Sequence, residues 1–245
     1  MKITPIKTRP LIPPKDDLLA VIAESLKELP EQSVLAIASK VVAIDEGRCI
    51  PLSEIEHDDL VKRESDKYLP RSCVPGAHII HTLKNNLLIG SAGIDESNAN
   101  NYFILWPEDP KASAKQIFEY LKSEFGTKRF AVLITDSHSV AMRRGTVGIS
   151  LASYGLKPLK DYRGKEDIFG RELKATMTNL ADGLAAAATL VMGEGAEVCP
   201  LALIEDLDVE FISQPYRPTD PDGSFEIPPE QDMFKPFFDG VDWQE

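Results

Sequence analysis

The chain has 245 residues with 39 acidic against 27 basic side chains, a formal net charge of −12 and an isoelectric point near 4.9. That length can bury a sizeable core as one domain or two interleaved subdomains, while the charge balance excludes a nucleic-acid surface. No apolar run approaches the about 18 residues a membrane span needs; Cys49, Cys73 and Cys199, an odd set without CxxC spacing, and a start without an apolar signal core predict a cytoplasmic protein with reduced thiols.

Residues 2–7 alternate and predict a short strand, and Thr8-Arg9-Pro10-Leu11-Ile12-Pro13-Pro14 cannot stay helical because proline removes donors. Asp16-Asp17 then start a helix carrying Leu18, Leu19, Val21, Ile22, Leu26 and Leu29 at helical spacing. Residues 33–38 predict a buried strand, and Val41-Val42-Ala43-Ile44 are expected to continue as strand. Residues 54–69 predict an exposed helix. A hairpin comes next, with strands over 78–83 and from 86 onward, turning at Lys84-Asn85. A short strand over 102–106 closes at Pro107, and Pro110 opens a helix to about Phe125, at a position proline tolerates. Phe130-Ala131-Val132-Leu133-Ile134-Thr135 predict a strand buried on both faces. Another is expected over 147–151, a Gly-, Lys- and Arg-rich loop over 156–173, a helix over 174–192 and a last core strand over 200–204. Pro215, Pro218, Pro221, Pro228, Pro229, Phe234, Phe237, Phe238 and Trp243 mark a tail that wraps the body or a partner.

The chemistry concentrates where two strands end. Asp136-Ser137 follow the 130–135 run, and Asp95 and Asn98 follow Asn86-Leu87-Leu88-Ile89-Gly90-Ser91-Ala92-Gly93-Ile94. In sheet enzymes such strand ends hold ligands, so the two acids either share a divalent metal or simply begin turns, and spacing alone favours turns. GxxxxGK[ST], complete GxGxxG, GxSxG and HExxH are all missing, so phosphates are not held by a P-loop, and the scattered His57, His78, His81 and His138 do not suit zinc. His138 is either a substrate contact or a turn residue. Asp95, Asp136, Ser137 and Glu194 are hard oxygen donors of the kind magnesium takes together with water and phosphate. Met192-Gly193-Glu194-Gly195-Ala196-Glu197 reads both as a glycine-closed helix end and as a turn that lets a ligand reach the backbone. Ser39-Lys40 can offer a hydroxyl and a point charge to phosphate, and Arg163, Lys165, Arg171 and Lys174 form either a basic rim or a solvated loop.

Six segments in order resemble the γ-glutamyl ligase family first associated with the deazaflavin coenzyme F420. They are Ser39-Lys40-Val41-Val42 with Glu46-Gly47-Arg48, Ala92-Gly93-Ile94-Asp95-Glu96-Ser97-Asn98, Pro107-Glu108-Asp109-Pro110 and Thr135-Asp136-Ser137. Asp161-Tyr162-Arg163-Gly164 with Phe169-Gly170-Arg171-Glu172-Leu173, and Leu190-Val191-Met192-Gly193-Glu194, complete the series. The resemblance spans about residues 3–205 and raises the metal reading of Asp95 and Asp136 above the turn reading.

The resemblance implies an α+β fold with mixed sheets in two interleaved subdomains, a ligase domain over 1–210, and a Pro- and aromatic-rich extension over 211–245. It implies a homodimer and an ATP- or GTP-driven amide ligation through an acyl phosphate, with two Mg²⁺ or Mn²⁺ ions. Asp95 and Asp136 would hold one metal, Ser137 and Glu194 a second. Arg9, Pro10, Leu11, Ile12, Ser39, Lys40, Asn98 and the stretch Met192, Gly193, Glu194, Gly195, Ala196, Glu197, Val198 and Cys199 would contact the nucleotide. Glu46, Glu172 and Arg143 are the candidates for direct catalytic roles, the two glutamates as base for the incoming amine. Two departures stand out. Ile44 replaces a lysine common among coenzyme ligases, and Ser139-Val140-Ala141-Met142-Arg143-Arg144-Gly145 stands where deazaflavin enzymes tend to read Gly-Arg-Pro-Trp-Arg-Glu-Gly. The second departure favours the folate branch, in which L-glutamate is joined to a pteroate or folate, over the GTP-dependent deazaflavin ligase; a non-catalytic nucleotide- or metal-binding protein is the third expectation.

Overall fold

The structure, a computed structural model, describes residues 1–217 and 225–245. The chain begins with β1 (Lys2–Ile6), α1 (Leu18–Ser25), β2 (Ser33–Ala38), α2 (Ser39–Glu46), β3 (Cys49–Pro51) and α3 (His57–Glu64). It continues with β4 (Lys67–Leu69), β5 (His81–Lys84), β6 (Leu87–Gly90), β7 (Tyr102–Ile104), α4 (Pro110–Phe125) and β8 (Phe130–Ser139). Then come β9 (Thr146–Tyr154), β10 (Leu159–Asp161), β11 (Met177–Asn179), α5 (Leu180–Met192), β12 (Leu201–Glu205) and the short α6 (Lys235–Phe238). The fold is α+β.

A five-stranded mixed sheet, ordered β1-β12-β2-β8-β9, carries the core. Its one parallel pair is β2 with β8, in the register Ser33↔Phe130 to Ala38↔Thr135. Side chains alternate across β2, which explains its unbroken apolar run. Val34 and Ala36 join α5 through Ala181, Ala185 and Ala188. Leu35 and Ile37 join the other face, with Val21 and Ile22 of α1 and Ile117 and Leu121 of α4. Each fully buried Leu or Ile in this sandwich contributes roughly 1.5–3 kcal/mol relative to exposure. The pairing also fixes the residues just beyond it. Ser39 and Asp136 are the next residues along neighbouring parallel strands, so their side chains emerge side by side.

The hairpin β5–β6 turns at Asn85 and Asn86, with φ of 52° and 60°, the positive pair that a two-residue hairpin turn requires. Helix α4 matches its expected range: Asp109 caps it through the Lys111 and Ala112 N–H groups, with Pro110 in its first turn.

Several expectations need correction, the hairpin turn included, which falls at Asn85-Asn86 and not at Lys84-Asn85. Val41-Val42-Ala43-Ile44 lie within α2, not in a strand; all four are buried, and Gly47 closes the helix at φ 74°. Their β-branched content favours strand, but burial on every side and a left-handed C-cap decide for helix. The helix expected over 174–192 begins only at Leu180, because Asn179 caps it by accepting from Asp182 N–H while 177–179 pair with β10. That pairing also puts a strand into the expected loop 156–173. The helix expected over 54–69 ends at Glu64, and β4 then pairs with β5. The strand expected over 102–106 stops at Ile104, leaving Trp106 free to turn toward the cleft at the carboxyl ends of β2 and β8.

The tail's described part touches the body. Gln244 pairs with the backbone of Tyr68, and Lys111 meets Glu226 at 2.7 Å. Pro218 and Pro221 lie outside the described residues.

Beneath Trp106 sits a charged cluster. Lys84 is 8% exposed, lies 3.5 Å from Glu64 and stands over the Trp106 ring at 5.6 Å. Burial pushes its pKa down, only partly offset by Glu64. Arg48 also binds Glu64, at 2.9 Å, and donates to the Trp106 carbonyl at 3.2 Å. Removing Glu64's charge leaves the buried Lys84 without its carboxylate, while Arg48 keeps Glu108 at 2.8 Å, so Glu64→Gln is expected to lower stability by about 1–3 kcal/mol. Lys84→Met removes a desolvated charge while Glu64 keeps Arg48, and is expected to leave stability unchanged or raise it. Urea denaturation of both variants checks the pair; a Lys84→Met loss as large as the Glu64→Gln loss refutes it.

Candidate active site

A cleft of about 570 Å³ opens at the carboxyl ends of β2 and β8, where open α/β sheets place their ligands. Four segments far apart in sequence converge on it. The β2–α2 junction brings Ser39 and Lys40, the segment after β6 brings Asp95 and Asn98, β8 brings Asp136 and Ser137, and the loop after α5 brings Met192-Gly193-Glu194-Gly195-Ala196-Glu197-Val198-Cys199. Arg9, Pro10 and Leu11 form a further wall.

Asp136 sits deepest. Its carboxylate accepts the Ser137 N–H at 2.9 Å and the Trp106 indole N–H. Burial pushes its pKa up to about 6 against these donors, and the charge of Asp95 adds to the rise. Trp106 can approach because Gly93 has no side chain: a Cβ there would lie 2.1 Å from the indole nitrogen. Asp95 is half-buried. Burial alone would raise its pKa, but the Lys40 ammonium at 2.7 Å and donors from Ser97 hold it below the usual carboxylate range. Ser97 N–H donates to Asp95 at 2.6 Å, and Lys40 also donates to the Ser97 carbonyl at 2.8 Å and hydroxyl at 3.1 Å.

Across the cleft Ser137 Oγ donates to Glu194 Oε1 at 2.5 Å. The loop carrying Glu194 is pinned from two sides. Asn98 Nδ2 donates to the Gly195 carbonyl at 2.9 Å, and Thr8 N–H donates to that of Val198 at 3.1 Å. Glu197 folds back to accept the Gly195 N–H at 2.8 Å. Arg9 is gripped in two-pronged fashion by Asp16, at 2.7 and 2.8 Å, which holds the Asp16 carboxyl far below its ordinary range.

The acids come in pairs: Asp95 with Asp136, and Glu194 with the Ser137 hydroxyl. Among the described residues no group of three or more His, Cys, Asp or Glu encloses a cation. Hard oxygens in pairs, open to a cleft, suit an ion that completes its shell with water and phosphate.

Several expected residues lie elsewhere. Ile12 turns outward, 54% exposed. Glu46 binds the Glu108 N–H at 2.8 Å and the Ser113 hydroxyl at 2.5 Å, bracing the start of α4 rather than facing the cleft. Glu172 is exposed on the arm between β10 and β11, bridged to Glu166. Arg143 is exposed beside Met142, itself 97% exposed, at the tip of the β8–β9 hairpin. His138 does line the cleft, and burial lowers its pKa. Sequence reasoning missed Trp106 as a partner of Asp136; its only signal was its place immediately before Pro107-Glu108-Asp109-Pro110. It also missed Thr189, which lines the cleft from within an alanine-rich helix.

Among known proteins, a family model described as F420-0:Gamma-glutamyl ligase matches residues 6–206. Coenzyme F420:L-glutamate ligase of Methanopyrus kandleri is 37% identical over 229 residues, covering 86% of this chain and 89% of that protein. The enzyme of the same name from Methanosarcina acetivorans is 33% identical over 237 residues, covering 87% and 91%. That from Archaeoglobus fulgidus is 31% identical over 227 residues, covering 85% and 89%. These relatives overturn the expectation of a folate or pteroate acceptor. The structure bears on the error: of the divergent 139–145 stretch that suggested it, only Ser139 reaches the cleft, and 140–145 form an exposed hairpin tip. A non-catalytic binding protein is equally disfavoured, since the relatives are named as ligases.

Proposed function

Since this chain belongs to the F420-0:Gamma-glutamyl ligase family and is thereby an enzyme that forms a C–N bond, we propose that it joins L-glutamate to a deazaflavin-type acceptor, driven by ATP or GTP with Mg²⁺ or Mn²⁺. The observation that carries the reading is the convergence in one cleft of the Asp95–Asp136 pair, the Ser137–Glu194 pair, Lys40 and the glycine-rich loop after α5.

The chemistry rests on what those residues can bind. The acceptor carboxylate attacks the γ-phosphate, the nucleoside diphosphate leaves, and the glutamate amine displaces phosphate from the acyl phosphate to give the amide. In this reading Lys40 and the N-terminus of α2 bind phosphate oxygens, since helix-start N–H groups and an ammonium both favour anions. Asn98 and the 192–199 loop contact the rest of the nucleotide, with Arg9, Pro10 and Leu11 opposite. Asp95 with Asp136, and Ser137 with Glu194, would hold the metal ions. Bound there, a divalent ion neutralises phosphate charge and orients the attacking and leaving oxygens. Neither Glu46 nor Glu172 is taken as the base, because both sit away from the cleft wall.

The catalytic unit in this proposal is residues 1–210, with 211–245 an extension, acting in the cytoplasm as a homodimer. Three free cysteines support the compartment, and no described helix is long and apolar enough to cross a membrane. Ile168 and Phe169, 91% and 88% exposed on the β10–β11 arm, support self-association. Sedimentation velocity reads that directly. The activity is tested by phosphate release with ATP or GTP, L-glutamate and Mg²⁺ or Mn²⁺. The glutamate-free deazaflavin precursor is expected to give glutamate-dependent turnover, and a pteroate control to give none. Turnover equal to the no-acceptor blank in every arm overturns the proposal.

A further inference from the structure

Lys40 occupies an unusual place for a phosphate-binding lysine. Its ammonium sits 2.7 Å from Asp95 Oδ2 and is tied to Ser97 by two further hydrogen bonds, so all three of its donors are engaged within one short loop. The other Asp95 oxygen already accepts the Ser97 N–H at 2.6 Å. Oδ2, which carries no backbone hydrogen bond, is therefore the oxygen more open to a metal, and Lys40 is on it. A divalent ion lies about 2.1 Å from a carboxylate oxygen. With the ammonium at 2.7 Å from the same atom, the two cations would stand within about 5 Å of each other, inside a partly desolvated cleft where like charges repel strongly. Each therefore weakens the other's hold on Asp95.

We propose that Lys40 is an exchange ligand: it competes with the divalent ion for Asp95 and is released to the nucleotide phosphates, so that metal and nucleotide bind cooperatively. The proposal rests on the ligase reading and assigns the lysine a positioning role within it. The swap leaves the charge balance of the cleft nearly constant. Lys40 neutralises Asp95 until an ion takes its place, and phosphate oxygens then supply the acceptors the ammonium gives up. Arg9 is held by Asp16 and cannot substitute at Asp95.

Opposite effects on two ligands distinguish this role from a merely structural one. Lys40→Met removes the competitor and the phosphate partner together. Mn²⁺ alone, titrated by electron paramagnetic resonance, is expected to bind the variant about tenfold or more tighter than the unaltered protein, within the usual span of coupling between sites. ATP and GTP, titrated in EDTA, are expected to bind the variant about tenfold or more weaker. Lys40→Arg keeps a competing cation and should hold the Mn²⁺ affinity near that of the unaltered protein, which controls for disturbance of the Asp95 loop. Mn²⁺ binding to Lys40→Met that is unchanged or weaker, with the melting temperature retained, overturns the inference. So does equal tightening in Lys40→Arg. Should Lys40→Met fail to fold, the unaltered protein decides: the Mn²⁺ site must tighten at least about tenfold when pyrophosphate is supplied, and affinity that ignores pyrophosphate refutes the exchange. Failure of the parent reading looks different, since it removes glutamate-dependent turnover from the unaltered enzyme.

Discussion

Asp136→Asn is expected to cut metal-dependent turnover by about 10³-fold or more, because a neutral amide is a poor partner for a hard cation facing phosphate. Its effect on stability should change with pH, and the raised pKa sets the sign. The folded protein binds the Asp136 proton more tightly than the unfolded chain does, with a pKa raised from 3.8 to about 6 by burial first and then by Asp95. The contribution of the carboxyl is thus fully present below about pH 4 and is lost as pH rises through about 6. At pH 8 the ionised group costs at most about 3 kcal/mol, a cost the amide does not carry. Against this, asparagine has one acceptor oxygen for two donors, the Trp106 and Ser137 N–H groups, and an orphaned donor costs about 1–3 kcal/mol. Near pH 8, in EDTA, the two terms nearly cancel and the melting temperature should scarcely move. Near pH 4 only the loss remains, and the variant should melt earlier than the unaltered protein. An aspartate that merely starts a turn predicts near-normal turnover and a loss of stability that ignores pH.

Much of this site was legible because the fold converts order along the chain into adjacency in space. Buried runs at 33–38 and 130–135 each end in polar residues. Once those runs pair in parallel and in register, Ser39 and Asp136 must meet. Helix α4 was legible to its ends, since Asp109, Pro110 and Gly126 supply a cap, a compatible first turn and a left-handed stop. The failures were decided by tertiary packing. Val41 to Ile44 look like strand, yet they fill one turn of a helix enclosed on every side. Glu46 looks like a free acid near Lys40, yet the start of α4 claims both its oxygens. The acceptor was misjudged for a related reason: residues 139–145 come soon after Asp136 in sequence, but beyond Ser139 they leave the cleft, and sequence distance says nothing about which way a hairpin tip points. Trp106 was invisible as a site residue because its partner lies 30 positions away.

Gly148→Ala is expected to be among the most destabilising single-methyl additions to this protein, and to weaken the site without touching a reacting atom. Gly148 lies on β9 opposite Ser137, beneath α5. A Cβ there would stand 2.2 Å from Thr189 Oγ1 and 2.6 Å from the Ala185 carbonyl oxygen. The threonine side chain can rotate away, but the carbonyl belongs to the helix backbone, so α5 itself must move off the sheet. Overpacking of this kind costs about 1–3 kcal/mol, or roughly 3–10 °C in melting temperature for a chain of this size. The displaced helix end carries Met192 and, just beyond it, Glu194, whose bond to Ser137 spans the cleft. The KM for nucleotide should therefore rise with the fall in melting temperature. Gly183→Ala on the same helix is the contrast: a Cβ there meets nothing within 4 Å, and alanine is favoured over glycine in a helix by about 1 kcal/mol, so that variant should melt later and keep its KM. Combining Gly148→Ala with Thr189→Ala separates the two clashes. Full recovery would mean that only the threonine was in the way; persistence of both losses is the outcome expected of a helix held against its sheet by the lack of a single methyl group.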